Sequence, residues 1–184
     1  MKLASFALSR RDPDYVPRAK ATHELETARQ AGEVPAAVRE VLTKAGAAGL
    51  AADAFQIGSV IFANKPGDGS AREQAASCQR VLGGCANICY EFATKRYRSN
   101  CVNWGMLPFT LAEGDEFPCQ PGDFLYVPDV KAKVMAGDDT FPAKAVTAQG
   151  VKDLTLFLKN TTEEERELLL TGCLMNHYAA RNEG

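Results

Sequence analysis

Residues 55–82 read FQIGSVIFANKPGDGSAREQAASCQRVL, and their pattern predicts the fold class of the chain. Residues 55–63 are β-rich and nearly all apolar, which is typical of a buried strand. Residues 64–69 concentrate turn-forming residues, and residues 70–82 favour a helix that ends at the next two glycines. The order strand, glycine loop, helix predicts an α/β fold, in which ligands gather at the carboxyl ends of strands.

Further short elements follow on the C-terminal side. A helical turn is predicted at residues 92–98. Thr162 and Glu165 have the spacing of a capping box, which predicts a helix that runs to Gly172. The runs that favour strands are residues 85–90, 106–109, 124–127, 141–146 and 154–158. Together they predict a mixed β-sheet or β-barrel-like core with flanking helices.

The N-terminal part has a different pattern. Residues 10–19 are charged and contain Pro13 and Pro17, which indicates an irregular arm. Two short helices are predicted after it, at residues 23–31 and from Pro35 to Gly46. We therefore expect an N-terminal arm with short helices over residues 1–50 and one domain over residues 51–184, which suits a chain of 184 residues.

Composition excludes several classes of protein. The formal net charge is -2 and no charged run is long, which does not favour a nucleic-acid partner. Lys95, Arg96 and Arg98 form the densest basic patch, and a solvated surface is its simpler interpretation. The alternative is a contact with a partner domain or with RNA, which so short a patch does not establish. No apolar stretch approaches the roughly 20 residues of a membrane span, and the start of the chain lacks the features of a secretory signal. These observations predict a cytoplasmic protein without a membrane partner.

The six cysteines do not follow a metal-binding pattern. Cys85 and Cys89 are four residues apart, which is not the C-x-x-C spacing of zinc ribbons, and no second pair follows. We expect free thiols that pack as small hydrophobic side chains, and no metal site in this chain.

The loop and the start of the following helix carry the candidate chemistry. Gly67, Asp68 and Gly69 permit a tight backbone path, and Ser70 lies where the helix begins, a position at which backbone N–H groups favour an anion. Arg72 adds a guanidinium suited to a carboxylate. The spacing fits neither a phosphate-binding P-loop nor a nucleophile elbow. Since Ser70 and Glu73 also form the pattern of a capping box, the loop is either an anion site or an ordinary helix start.

The chain resembles a known family at four places that occur in the same order. Residues 69–73 (GSARE) are similar to the G-S-S-R-E signature of the aconitase superfamily, which lies in its C-terminal, or swivel, domain. Phe92, Ala93, Asn100 and residues 105–108 resemble the F-A…N-x-x-x-x-G-L-L-P stretch that follows it. The other two similarities are residues 121–123, which resemble a turn of the family, and residues 172–176, which resemble its terminal G-S-x-x-N. Residues 75–80 and 97–100 look most like a bacterial subgroup of aconitase-like hydratases.

The resemblance implies a fold and a reaction. It implies an aconitase-type swivel domain of a hydro-lyase that adds and removes water on a hydroxy di- or tricarboxylate. Ser70 would act as an alkoxide base, and Ala71 and Arg72 would contact the substrate. Ala71 replaces the second serine of the signature and Gln74 stands where histidine is common, so the substrate is left open. An upstream substrate-binding arginine of the family has no clear match, and Arg10 and Arg11 are its candidates.

The resemblance also places part of the enzyme outside this chain. The [4Fe-4S] cluster and its cysteine ligands belong to the N-terminal aconitase domains, so this chain is expected to hold no cofactor and to be incomplete and inactive by itself. Those domains would belong to the same polypeptide or to a large subunit, as in isopropylmalate isomerases. Trp104 is expected in the core or at the seam with them. The alternative function is a non-catalytic binding or regulatory module in which Ser70 only caps a helix.

Overall fold

The computed structural model describes residues 2–9 and 12–176 of the chain. Arg10 and Arg11, the candidates for the upstream arginine, lie outside the described residues. The order of helices and strands is α1 (Lys2–Ser9), α2 (Tyr15–Gln30), α3 (Ala36–Lys44), β1 (Ser59–Phe62), α4 (Arg72–Val81), β2 (Gly84–Cys89), α5 (Lys95–Asn103), β3 (Leu107–Thr110), β4 (Phe124–Tyr126), α6 (Val130–Ala136), β5 (Thr140–Thr147), β6 (Gly150–Phe157) and α7 (Glu163–Thr171).

The six strands form one mixed sheet in the order β1-β2-β3-β6-β5-β4. Strands β1, β2 and β3 are parallel and are joined through α4 and α5, whereas the pairs β3–β6, β6–β5 and β5–β4 are antiparallel. The α/β class and the mixed sheet with flanking helices are thus confirmed. In this strand order β1 and β4 lie at the two edges, so the described strands form an open sheet.

Helices cover both faces of the β1–β3 half of the sheet. Ala86 and Ile88 of β2 lie in the main apolar cluster together with Val134 of α6, and Leu169 of α7 packs against that cluster. The intervening Asn87 points to the other face, because side chains alternate along a strand, and there it meets α4 and α5. Strand β2, in the middle of the parallel half, is therefore buried on both sides.

Several details of the predicted elements differ from the structure. The helical turn predicted at residues 92–98 is instead α5 (Lys95–Asn103), and α6 lies where no element was predicted. Strand β1 covers only residues 59–62 of the predicted 55–63, and its residues are half-buried because β1 is an edge strand. The predicted irregular arm is helical from Tyr15 onwards, because Pro17 lies in the first turn of α2, where a missing N–H costs nothing. The capping box of Thr162 and Glu165 is confirmed.

The N-terminal helices contact the helix that follows the glycine loop. Ala4 of α1 and Val16 and Ala19 of α2 form a small apolar cluster with Leu82 at the end of α4. Tyr15 Oη also lies 3.3 Å from Ser59 Oγ at the start of β1. These contacts hold α1 and α2 against the β1–α4 unit.

Candidate active site

The glycine loop lies where two parallel strands end. Residues 63–69 follow β1, and residues 90–94 follow the neighbouring strand β2, so both connections lie at the same edge of the sheet. Backbone hydrogen bonds join them: Ala93 N donates to Pro66 O at 2.8 Å, and Tyr90 N donates to Asn64 O at 3.2 Å. The loop is therefore fixed by the neighbouring connection, at the position where open α/β sheets bind ligands.

Gly67 is the position in this loop at which a side chain would not fit. Its φ is +98°, and a Cβ built on it would lie 2.4 Å from Cβ of the buried Tyr97 on α5. Its carbonyl oxygen accepts hydrogen bonds from Thr94 Oγ1 at 3.0 Å and from Arg72 Nε at 2.9 Å. Gly69, in contrast, has no atom within 4 Å of an added Cβ. The loop is tightly packed at Gly67 and open next to Ser70.

Ser70 does not cap the helix that follows it. Helix α4 begins at Arg72, and its N-cap residue is Ala71. The N-cap side chain therefore forms no capping hydrogen bond. Ser70 and Ala71 are exposed, and within residues 2–9 and 12–176 neither the Ser70 hydroxyl nor the N–H groups of Ser70 and Ala71 have a hydrogen-bond partner. The capping-box interpretation of Ser70 and Glu73 is therefore wrong, and Ser70 presents a free hydroxyl at the N-terminal end of α4.

Arg72 turns back onto the loop. Its Nε donates to Gly67 O at 2.9 Å, and its Nη2 lies 3.5 Å from Asp68 O. The side chain is half-buried, whereas Asp68 is exposed. The guanidinium thus braces the loop that carries Ser70, and in the described part of the chain its Nη1 has no hydrogen-bond partner.

The first turn of α4 is capped from outside by α5. With the amide of Asn100 assigned from its hydrogen-bonding surroundings, its oxygen accepts from Glu73 N at 3.1 Å. Its amide nitrogen donates to Glu73 Oε2 at 3.1 Å and to Arg96 O at 3.2 Å. The indole Nε1 of Trp104 donates to Glu73 Oε1. Sequence reasoning placed Asn100 in a family motif but did not find these contacts, because nothing local relates residue 73 to residues 100 and 104.

A neutral polar layer lies beneath α4 and α5. The fully buried Gln79 donates to Ala86 O at 3.0 Å and accepts from Asn87 Nδ2 at 2.9 Å. Burial raises the pKa of Cys101 to about 12, despite hydrogen bonds from Tyr97 and Asn87 that act in the other direction. Burial also raises the pKa of Tyr97. Both side chains are therefore uncharged near neutral pH, and they support the helices without adding charge under the loop.

The cysteines behave as packing residues. The structure describes all six, and all are free thiols. Burial raises the pKa of Cys85 to about 11 and that of Cys89 to about 12, which keeps both protonated and unsuited to bind a cluster as thiolates. Over the described ranges, no group of three or more His, Cys, Asp or Glu side chains could hold a metal ion. The described residues do not fit a [4Fe-4S] cluster.

Two other regions lie apart from the loop. A cavity of about 280 Å³ on β4, β5 and β6 is lined by Tyr126, Lys144 and Asp153 among others, and it includes none of the residues of the glycine loop. Gly105, at the start of the motif before β3, packs against Gly172, since a Cβ on Gly105 would lie 1.8 Å from Gly172 O.

None of the described helices is long and apolar enough to cross a membrane.

Comparison with known proteins supports the resemblance to the aconitase superfamily over part of the chain. A model of the aconitase C-terminal domain family matches residues 32–114. Over these residues the chain matches the swivel domain of the aconitase superfamily. This match includes the glycine loop, Ser70, α4, α5 and β3, and it therefore covers the first two of the four resemblances found in the sequence. The resemblances at residues 121–123 and 172–176 lie outside it and stay predictions.

Two individual proteins are similar to parts of this chain. The chain is 45% identical over 60 residues to aconitate hydratase A of Bradyrhizobium diazoefficiens, and these residues make up 32% of this chain and 6% of that protein. The 3-isopropylmalate dehydratase LeuD of Methanocaldococcus jannaschii is 26% identical, with a TM-score of 0.44, and the similarity covers 67% of this chain and 65% of that one. The matched region thus spans a small part of the aconitate hydratase.

Proposed function

We propose that this swivel domain supplies the base of a hydro-lyase active site and that the other wall of the site comes from the N-terminal aconitase domains, on the same polypeptide or on a large subunit. The observation that carries the proposal is the free hydroxyl of Ser70, exposed at the start of α4 in the segment that matches the family. An exposed residue without a protein partner is suited to meet a substrate held by a second body.

The chemistry assigned to Ser70 is proton transfer at carbon. Its alkoxide takes the proton from the carbon next to the hydroxyl-bearing carbon of a hydroxy di- or tricarboxylate. The C–H electron pair becomes the second bond of the alkene, and the hydroxyl group leaves on the side of the partner domains. Hydration runs through the same steps in reverse. The [4Fe-4S] cluster that the family carries in other domains is proposed for those partner domains, because the described residues here do not fit it.

The surroundings of Ser70 support this role. A serine alkoxide is too basic to persist in water, and it needs hydrogen-bond donors and positive potential close to the oxygen. The unpaired N–H groups of Ser70 and Ala71, the N-terminal end of the α4 dipole and the guanidinium of Arg72 supply them. In this proposal Ala71 and Arg72 also contact a substrate carboxylate, through the backbone N–H and through Nη1. Gly67, Asp68 and Gly69 form the loop that holds these donors in place.

The proposal is tested by Ser70→Ala in the intact enzyme, with the cluster-bearing domains present. Aconitate and 3-isopropylmalate are the substrates to assay, since these compounds appear in the names of the two similar proteins. We expect kcat to fall by about 10²–10⁴-fold, the usual contribution of a positioned base. Thermal stability should stay unchanged, because the Ser70 hydroxyl has no partner in the described chain.

Ser77→Ala is the matched control. Ser77 lies on α4, and its hydroxyl donates to Gln74 O at 3.2 Å. The Ser77→Ala substitution therefore removes a serine hydroxyl that lies outside the proposed site. It should keep wild-type kcat. Full activity of the Ser70→Ala enzyme would show that this hydroxyl is not the base. That result would favour the alternative function, a non-catalytic binding module.

A further inference from the structure

The contacts at the start of α4 show why Ser70 is free. Serine is among the best helix caps, and Ser70 stands three residues before Glu73, as a capping box requires. In such a box Ser70 Oγ would accept from Glu73 N, and the Glu73 carboxylate would reach back to Ser70 N. Both partners are already engaged here: Asn100 holds Glu73 N, and Asn100 and Trp104 hold the carboxylate.

We propose that Asn100, assisted by Trp104, is a positioning residue that keeps Ser70 out of the capping box. This inference rests on the proposed function of Ser70. The amide oxygen of Asn100 satisfies the Glu73 N–H at 3.1 Å, so the helix gains its cap without using the hydroxyl. The Ser70 hydroxyl and its own N–H then remain directed to solvent and to a substrate.

The physical basis is competition for one N–H group. The N–H groups of the first turn of a helix have no partner within the helix, and a hydroxyl three residues earlier in the chain can accept from one of them when no other acceptor is present. A Ser70 oxygen bonded to Glu73 N would point along α4 instead of outward. This change reduces proton abstraction by Ser70 without removing the groups that bind a carboxylate.

Trp104 holds the second half of the arrangement. Its indole N–H fixes Glu73 Oε1, and Asn100 fixes Oε2, so the carboxylate cannot swing back to Ser70 N. Asn100 and Trp104 are four residues apart on α5 and its C-cap, which places them on one face of the helix. The face of α5 that packs on α4 thus carries both donors and the acceptor.

The test is Asn100→Ala in the intact enzyme, with Asn103→Ala as the control. Asn103 lies on the same helix, and no hydrogen bond of its side chain is found in the described chain. We expect Asn100→Ala to lower kcat about tenfold with KM nearly unchanged, which is the population shift that a typical N-cap bond drives. A crystal structure of the variant should place Ser70 Oγ within about 3 Å of Glu73 N. Asn103→Ala should match the wild type in both readouts.

Two further variants protect the test against loss of folding. Trp104→Phe keeps an aromatic side chain but removes the indole N–H donor, and we expect a smaller fall in kcat of about two- to threefold, in line with one lost hydrogen bond to a carboxylate that keeps its other partner. The double variant Glu73→Gln with Asn100→Asp exchanges the amide and the carboxylate across the same contact. It restores the acceptor for the residue 73 N–H, so kcat should recover towards the wild-type value.

The outcomes separate the two ideas. If Ser70→Ala abolishes turnover but Asn100→Ala keeps the kcat of Asn103→Ala, Asn100 does not position Ser70, and the proposed function stands. The inference also fails if the Asn100→Ala structure leaves Ser70 Oγ unbonded to Glu73 N. If Ser70→Ala retains activity, the proposed function itself is wrong, whatever Asn100 does.

Discussion

Replacement of Gly67 by alanine tests whether the loop is held in place as the structure indicates. An alanine at φ +98° carries the cost of a left-handed backbone, about 1–2 kcal/mol. Its Cβ would also lie 2.4 Å from Tyr97 Cβ, which belongs to the buried side of α5 and cannot rotate away. Overpacking of this kind costs about 1–3 kcal/mol. We therefore expect Gly67→Ala to lower the free energy of unfolding by about 2–5 kcal/mol.

Two other glycines separate these costs. Gly122 has a similar φ of +102° with no atom within 4 Å of an added Cβ, so Gly122→Ala measures the backbone cost alone. Gly69, in the same loop as Gly67, has open space and no left-handed φ, so Gly69→Ala should change stability by less than about 1 kcal/mol. The assay is urea unfolding of the chain, followed by circular dichroism. If Gly67→Ala costs no more than Gly122→Ala, the loop does not pack on Tyr97 in the way that the structure indicates.

Two predictions concern stability and pH. Burial raises the pKa values of Cys89 and Cys101 from 9.0 to about 12. The contribution of these protonated thiols to stability is therefore complete below about pH 9 and is lost as the pH rises towards 12, by on the order of 1 kcal/mol per pH unit for each thiol. Urea unfolding at pH 8 and pH 10.5 should show the fall, and Cys101→Ala should flatten it; an unchanged slope in that variant would contradict the assignment. Burial alone would raise the pKa of Glu26, but hydrogen bonds from Arg29 and from Ile57 N lower it, so its contribution is present above about pH 4.5 and lost as the pH falls below that value. Glu26→Gln should cost about 1–3 kcal/mol at pH 7, whereas Glu24→Gln on the exposed side of α2 should cost almost nothing; equal costs would exclude a role for the Ile57 contact.

Local chemistry accounts for the part of the fold that was predictable. The order of strand, glycine loop and helix at residues 55–82 predicts the α/β class, because a β-rich run, a cluster of turn-forming residues and a helical pattern each act within a few residues. The capping box of Thr162 and Glu165 is local in the same sense. The start of β1 was less predictable, since a strand extends only as far as its neighbour pairs with it, and that pairing begins at Ser59.

The candidate site divides in the same way. Ser70, Arg72 and the glycine loop could be named from the sequence, because glycines before a helix start and an adjacent arginine have a local meaning. The choice between a capping serine and a free one could not be made there. It depends on Asn100 and Trp104, which reach Glu73 only after β2 and α5 have folded beside α4. A capping-box pattern indicates which hydrogen bond residue 70 is able to form. Packing of α5 on α4 determines whether another acceptor, here Asn100, already binds the same N–H group.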